Sequence, residues 1–212
     1  MFILSILLLV SGIHAQDIKF MVGGSLSRYV ISPEIYFNWI ASDEYSYEIS
    51  YKAGFMIGGG IEFSLDSNVS LEIDALYLQI GTKAQRFYSH LEIYVVPQKY
   101  TLHVINIPVL LKIRFRRVSS PYILGGYEWS LVLSHRCKPF FDGQTGDISI
   151  TESTETPVGF VFGGGYEIKV KAISFLIEGR YHYGLSNIIR GPQTDWETAK
   201  TRTITLSAGF KI

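Results

Sequence analysis

The stretch ISFLIEGRYHYGL, residues 173–185, alternates at every step. Ile173, Phe175, Ile177, Tyr181, Tyr183 and Leu185 fall on one face, with Gly179 among them. Ser174, Leu176, Glu178, Arg180, His182 and Gly184 fall on the other. A period of two is the mark of a β-strand whose faces meet different surroundings. The same pattern recurs in VINIPVLLKIRF (104–115), where Ile105, Ile107, Val109, Leu111, Ile113 and Phe115 oppose Asn106, Lys112 and Arg114. It recurs again in TITLSAGFKI (203–212), where Ile204, Leu206, Ala208, Phe210 and Ile212 oppose Thr203, Thr205, Ser207, Gly209 and Lys211. No segment beyond the apolar amino-terminal run carries a helical stripe of comparable quality.

Eight such strands are expected, near residues 17–29, 51–64, 69–84, 101–116, 121–135, 158–170, 173–186 and 201–212. Their connections alternate in length. Residues 30–50, 85–100, 136–157 and 187–200 are long; 65–68 (LDSN), 117–120 (RVSS) and 171–172 (KA) are short. The expectation is an all-β, eight-stranded antiparallel up-and-down transmembrane β-barrel with short periplasmic turns and long external loops. A tilted strand of about 9–11 residues crosses a bilayer, and all eight are long enough.

Composition agrees. Charged residues make up 18% of the chain and hydrophobic residues 47%, whereas ordinary soluble domains carry roughly 25% charge. Past the amino terminus no run of 18 apolar residues appears, so no transmembrane helix is expected. The opening MFILSILLLVSGIHAQD has the apolar run and the small Ala15 of an export signal. Residues 1–15 are therefore read as a signal peptide and 16–212 as one outer-membrane barrel domain. Nineteen basic residues balance nineteen acidic ones, which argues against nucleic acid as a partner. Cys137 is the single cysteine, read as a stray loop thiol without a disulfide framework.

A soluble lipocalin-like carrier also alternates, with its apolar face inward. Three features place the apolar face outward. Gly54, Gly58 and Gly60 share parity with Glu62, where a crowded lumen needs small residues. Tyr29, Tyr51, Tyr100 and Tyr183 gather at one rim and Phe63, Phe115, Tyr122, Phe175 and Phe210 at the other, as interfacial girdles do. Charges on the polar face come in both signs.

One phrase is written twice: GFMIGGGIEF at 54–63 and GFVFGGGYEI at 159–168, with six of ten positions identical. Phosphate-binding loops put their glycines between a strand and a helix; these lie inside strands. The copies fall on the second and sixth strands, opposite each other in a ring of eight, where glycine gives curvature and room for bulky lumen side chains opposite.

GFMIGGGIEF, NIPVLLKIRF, PYILGGYEWSL, GFVFGGGYEI, EGRYHYGLSNI and TITLSAGFKI together resemble the PorT-like outer-membrane β-barrel (porin-like) family over the mature chain. The resemblance implies an eight-stranded integral barrel of the outer membrane of diderm bacteria, inserted by the barrel-assembly machinery among outer-membrane lipids. It brings no shared catalytic residues and no cofactor. Ile212 departs from the pattern, since an aromatic final residue is usual for the assembly signal.

Several side-chain sets could carry chemistry. Glu62, Glu72, Asp74, Lys112, Arg114, Glu128, Glu167, Lys169, Glu178 and Arg180 collect on the lumen face, with His182 above them. They are read as a salt-bridged plug rather than a gated ion path, because eight strands leave a lumen only wide enough for side chains. Glu178 is expected to point into the same confined space as Lys112 or Arg114. Glu178 and Arg180 also suggest acid–base work, but no nucleophile stands beside them in the sequence. His135, Cys137, Asp142 and Asp147 match no zinc or EF-hand spacing, so no metal is expected. The first long loop holds Glu34, Asp43, Glu44 and Glu48 beside Tyr36, Phe37, Trp39, Tyr45 and Tyr47. Acidic groups beside aromatic faces suit a carbohydrate, cation or protein partner outside the cell. The rival enzyme class, a lipid-modifying or proteolytic barrel, needs a rim triad, and His90 and His135 are the only loop histidines from which to build one.

Overall fold

The computed structural model describes residues 14–32, 35–38, 43–88, 93–115, 119–139, 148–151, 154–188 and 198–212. The expected signal segment lies outside them except for its last two residues, His14 and Ala15, which begin the first strand. Ten strands form one antiparallel sheet: β1 (His14–Ser32), β2 (Ile35–Asn38), β3 (Asp43–Ser64), β4 (Val69–Tyr88), β5 (Ile93–Arg114), β6 (Ser120–Pro139), β7 (Ile148–Ser149), β8 (Val158–Val170), β9 (Ile173–Gly184) and β10 (Thr198–Lys211). Eight of them are the staves of a closed barrel, in which β1 pairs with both β10 and β3. Ile18 and Ile212 exchange both backbone hydrogen bonds at the closing seam, at 2.9 and 3.0 Å. The remaining two, β2 and β7, are short additions that pair with β3 and β6 near the external end.

The wall is taller than the apolar pattern predicts. Much of what reads as loop in 43–50, 85–88 and 93–100 is strand, with Tyr45 opposite Tyr88 and Arg86 opposite Val95. The apolar face must stop where lipid stops, but the hydrogen-bond ladder has no such limit. Tyr, Ser, Val and Ile continue it in water because each fits a pleated surface.

Along the lipid-facing wall the apolar parity is exposed, as at Ile177 (59%) and Leu206 (66%). The opposite parity is buried, with Glu62, Glu72 and Lys112 at 0%. Charges inside and aliphatics outside exclude the lipocalin arrangement. Three of the nine girdle aromatics are corrected: Tyr29, Tyr100 and Tyr122 point into the lumen and are buried, while Tyr51, Tyr183, Phe115, Phe175 and Phe210 are exposed on the outer wall and Phe63, on the parity of exposed Ile61, is half-buried.

One defect in the wall is mended from the side. Between Tyr51 and Met56 the β3–β4 register shifts and residues 52–55 have no partners on β4. Two serines of β1 reach across. Ser25 Oγ donates to the Gln79 carbonyl at 2.7 Å; Ser27 Oγ donates to the Gly81 carbonyl at 3.0 Å and accepts from the Gly81 N–H at 2.8 Å. Buried backbone groups need partners, and here hydroxyls supply them.

Candidate functional site

The lumen is filled in two layers. The layer nearer the short turns is ionic. Glu62 receives Lys112 at 3.1 Å, Lys211 at 3.2 Å and the Arg114 guanidinium, with Ser70 Oγ donating at 2.8 Å. Glu167 receives Lys211 at 2.9 Å and lies 3.6 Å from Lys112 and 3.7 Å from Arg114. One step up, Glu72 and Asp74 share two cations. Lys19 pairs with Glu72 and lies 3.0 Å from Asp74, while Arg180 reaches both at 2.8 Å and Glu178 at 2.6 Å. Five carboxylates (Glu62, Glu72, Asp74, Glu167, Glu178) thus meet five cations (Lys19, Lys112, Arg114, Arg180, Lys211). That balance is what a closed low-dielectric space requires, since each unpaired buried charge costs several kcal/mol.

Above this, Glu128 lies 2.8 Å from His182 Nδ1 and accepts from Asn106 Nδ2 at 2.9 Å. The external half of the lumen is apolar: Met21, Met56, Leu76, Leu78, Ile80, Leu102, Val104 and their neighbours form one buried cluster. Tyr29, Tyr100 and His135 stack within it. The sequence reading missed this apolar layer, although Leu102, Val104, Leu76 and Leu78 already sit on the lumen parity of their strands.

Nine of the ten expected network residues lie inside: Glu62, Glu72, Asp74, Lys112, Arg114, Glu128, Glu167, Glu178 and Arg180. Lys169 does not join them. It is exposed near the short-turn rim, makes no ion pair among the described residues, and its backbone N–H donates to Ser119 Oγ at 3.0 Å. Lys19 and Lys211 were missed, though parity with Ser25 and Ser207 marks both. Glu178 does not meet Lys112 or Arg114 directly. Its partners are Arg180 and the Tyr122 hydroxyl, which donates at 2.8 Å, and Lys112 lies over the ring of that same Tyr122, 4.0 Å from its centre. The reason is topological. Two strands, β6 and β8, separate β5 from β9 in the ring, and the β6 tyrosine occupies the space between.

The glycine phrase has a local rather than a transverse meaning. Gly60 stands opposite Asp74 and Gly165 opposite Tyr122. A Cβ at Gly60 would overlap the Asp74 carboxylate, and one at Gly165 would come within 2.6 Å of the Tyr122 hydroxyl oxygen. The glycines clear space for the cross-strand neighbour, not for the far wall.

His135 and Cys137 are also corrected: both lie in β6, not in a loop, and both are buried in the lumen. His135 Nε2 is 3.1 Å from Tyr29 Oη, and its Nδ1 is 2.8 Å from Thr154 Oγ1, so both ring nitrogens are occupied. Among the described residues no group of three His, Cys, Asp or Glu side chains is arranged to hold a metal. Asp142, Asp147, His90, Glu34 and Trp39 lie outside the described residues. Of the first external segment, the backbone places Tyr36 opposite Tyr45, Phe37 opposite Glu44 and Asn38 opposite Asp43; Tyr47 stands opposite Arg86 on β4.

An outward apolar band and eight closed staves around buried charges are the structure of an outer-membrane barrel. Residues 10–190 match the family model described as outer membrane protein beta-barrel domain. The chain belongs to that family, and its place is the outer membrane. No curated protein sequence matches it. Among solved structures it is similar to Ail, the attachment invasion locus protein of Yersinia pestis, at 14% identity. That match covers 92% of this chain and 98% of that one, with a TM-score of 0.45. OprG from Pseudomonas aeruginosa matches at 12% identity over 91% and 94% of the two chains, with a TM-score of 0.46. The outer membrane protease OmpT from Escherichia coli matches at 10% over 92% and 95%, with a TM-score of 0.46.

Proposed function

We propose that this chain is a PorT-like, non-enzymatic barrel with a side-chain-plugged lumen, which anchors extended hairpins at the cell surface for structural support or for binding an envelope or extracellular partner. The observation that carries this reading is the continuity of the filling. Five ion-paired carboxylates and an apolar cluster succeed one another along the lumen, leaving the external hairpins as the part free to meet a partner. The taller wall supports it, because β2 pairs with the first residues of β3 and so carries Tyr36, Phe37, Asp43, Glu44 and Tyr45 on paired strands. Residues 1–15 serve as the export signal, and the barrel-assembly machinery inserts residues 16–212.

Planar-bilayer recording on the purified, folded chain tests the plug. Little or no steady conductance is expected, and large, stable single-channel steps would contradict a filled lumen. Crosslinking on intact cells tests the hairpins: the partner captured by the native chain should be lost when residues 34–47 are replaced by a Gly-Ser segment.

A further inference from the structure

On the outer wall, just above the apolar band, β4, β5 and β6 carry three successive cross-strand rows with an unusual content. Tyr77, Ile105 and Leu131 stand opposite one another as the last apolar row. Next come Gln79, His103 and Ser134, then Gly81, Thr101 and Arg136, then Lys83, Lys99 and Lys138. Lys83, Lys99, Arg136 and Lys138 are all exposed. Lys99, Thr101, His103, Arg136 and Lys138 line a polar groove of about 210 Å³.

Like charges directly opposite on neighbouring strands are destabilising, and here three lysines stand in one row. Among the described residues Lys83, Lys99 and Lys138 make no ion pair. Other outward cations at this end are engaged differently: Arg28 lies over the Tyr51 ring at 5.2 Å, and Arg202 over the Tyr183 ring at 3.6 Å, donating also to the Gly184 carbonyl at 2.7 Å. Among the described residues the lysine row has no such partner. The groove begins one residue row above Ile105 and Leu131, with the lysine row two rows further out, so that it starts at the edge of the apolar band where lipid headgroups lie.

We propose that this groove is a binding site for the phosphate groups of an anionic lipid in the outer leaflet, with Lys99, Arg136 and Lys138 as its cationic walls and Thr101 as a neutral donor between them. The bilayer favours a lipid over a free anion, because a headgroup is delivered to this depth by the acyl chains that cover Ile105, Leu131 and Leu133. The site is independent of the lumen and of the external hairpin.

The full chain, folded in dodecyl maltoside micelles, should retain added diphosphoryl lipid A, measured by native mass spectrometry and by fluorescence titration. A juxtamembrane lysine contributes roughly fivefold in affinity for an anionic surface. The Lys99→Gln/Lys138→Gln variant should therefore bind on the order of tenfold more weakly or worse, while Lys99→Arg/Lys138→Arg retains binding. Lys171→Gln, at the opposite rim, should match the native chain. Heat-modified gel mobility establishes that each variant is folded, and the single Lys138→Gln change gives the same comparison should the double variant fold poorly. Equal binding of fully dephosphorylated lipid A, unchanged binding by the double glutamine variant, or displacement by inorganic phosphate at equal concentration would each overturn the proposal.

Discussion

The Tyr122 hydroxyl donates to Glu178 Oε2 at 2.8 Å, joining β6 to β9 across the intervening β8. Arg180 holds the other carboxylate oxygen at 2.6 Å. One cation and one phenol therefore hold the two carboxylate oxygens of Glu178 in the buried interior. Tyr122→Phe removes only the phenol, and a hydrogen bond to a charged group is worth about 1.5–3 kcal/mol. Glu178→Leu strands Arg180 partly unpaired and should cost more, about 3–5 kcal/mol. Urea refolding titrations in detergent should rank native chain above Tyr122→Phe and Tyr122→Phe above Glu178→Leu. The opposite order would show that the phenol, not the ion pair, dominates.

Lys19 is wholly buried and is shared between Glu72 and Asp74. Lys19→Met keeps the length and removes the charge, leaving both carboxylates to Arg180, with Lys112 3.8 Å from Glu72 alone. A loss of about 3–5 kcal/mol is expected. Lys169→Gln, exposed at the rim, should fall within about 0.5 kcal/mol of the native chain. The same refolding midpoints measure both.

The glycine phrase can be tested by adding a single methyl. Gly165→Ala drives its Cβ toward the Ile177 carbonyl oxygen and to 2.6 Å from the Tyr122 hydroxyl, and overpacking of this kind costs about 1–3 kcal/mol. Gly179→Ala meets nothing nearer than the Thr205 carbonyl at 3.8 Å and should be tolerated. Similar midpoints for the two alanine variants would remove clearance as the reason for glycine at 165.

Ile177 faces lipid, 59% exposed. An arginine there stands near the bilayer midplane, at a cost of roughly 2–4 kcal/mol. Ile177→Arg should lower the folded fraction in lipid vesicles, read by heat-modified gel mobility. Lys171→Gln in the β8–β9 turn should leave it unchanged.

The amino-acid sequence by itself determined the strand period, the alternation of short and long connections and the sidedness of the wall. Each of these is local: parity along a strand decides which side chains share a face, and turn length decides which rim it meets. Hence Ile177 and Glu178 were assigned to opposite sides from ISFLIEGRYHYGL alone. Pairing inside the lumen is a different matter. Parity sends Glu178, Lys112 and Arg114 into one space but says nothing of who touches whom. That depends on height along tilted staves and on what the staves between contribute, and here Tyr122 takes the place between Lys112 and Glu178. The same limit applies to Lys19 and Lys211: parity puts both on the lumen face, but not into the ion network they complete. It also explains the girdle tyrosines that proved internal, since a residue near a strand end reads as a rim residue until its direction is known. The height of the wall followed the hydrogen-bond ladder, which continues past the lipid without any apolar signal. Only closure of the ring, which fixes register on every stave at once, decided these points.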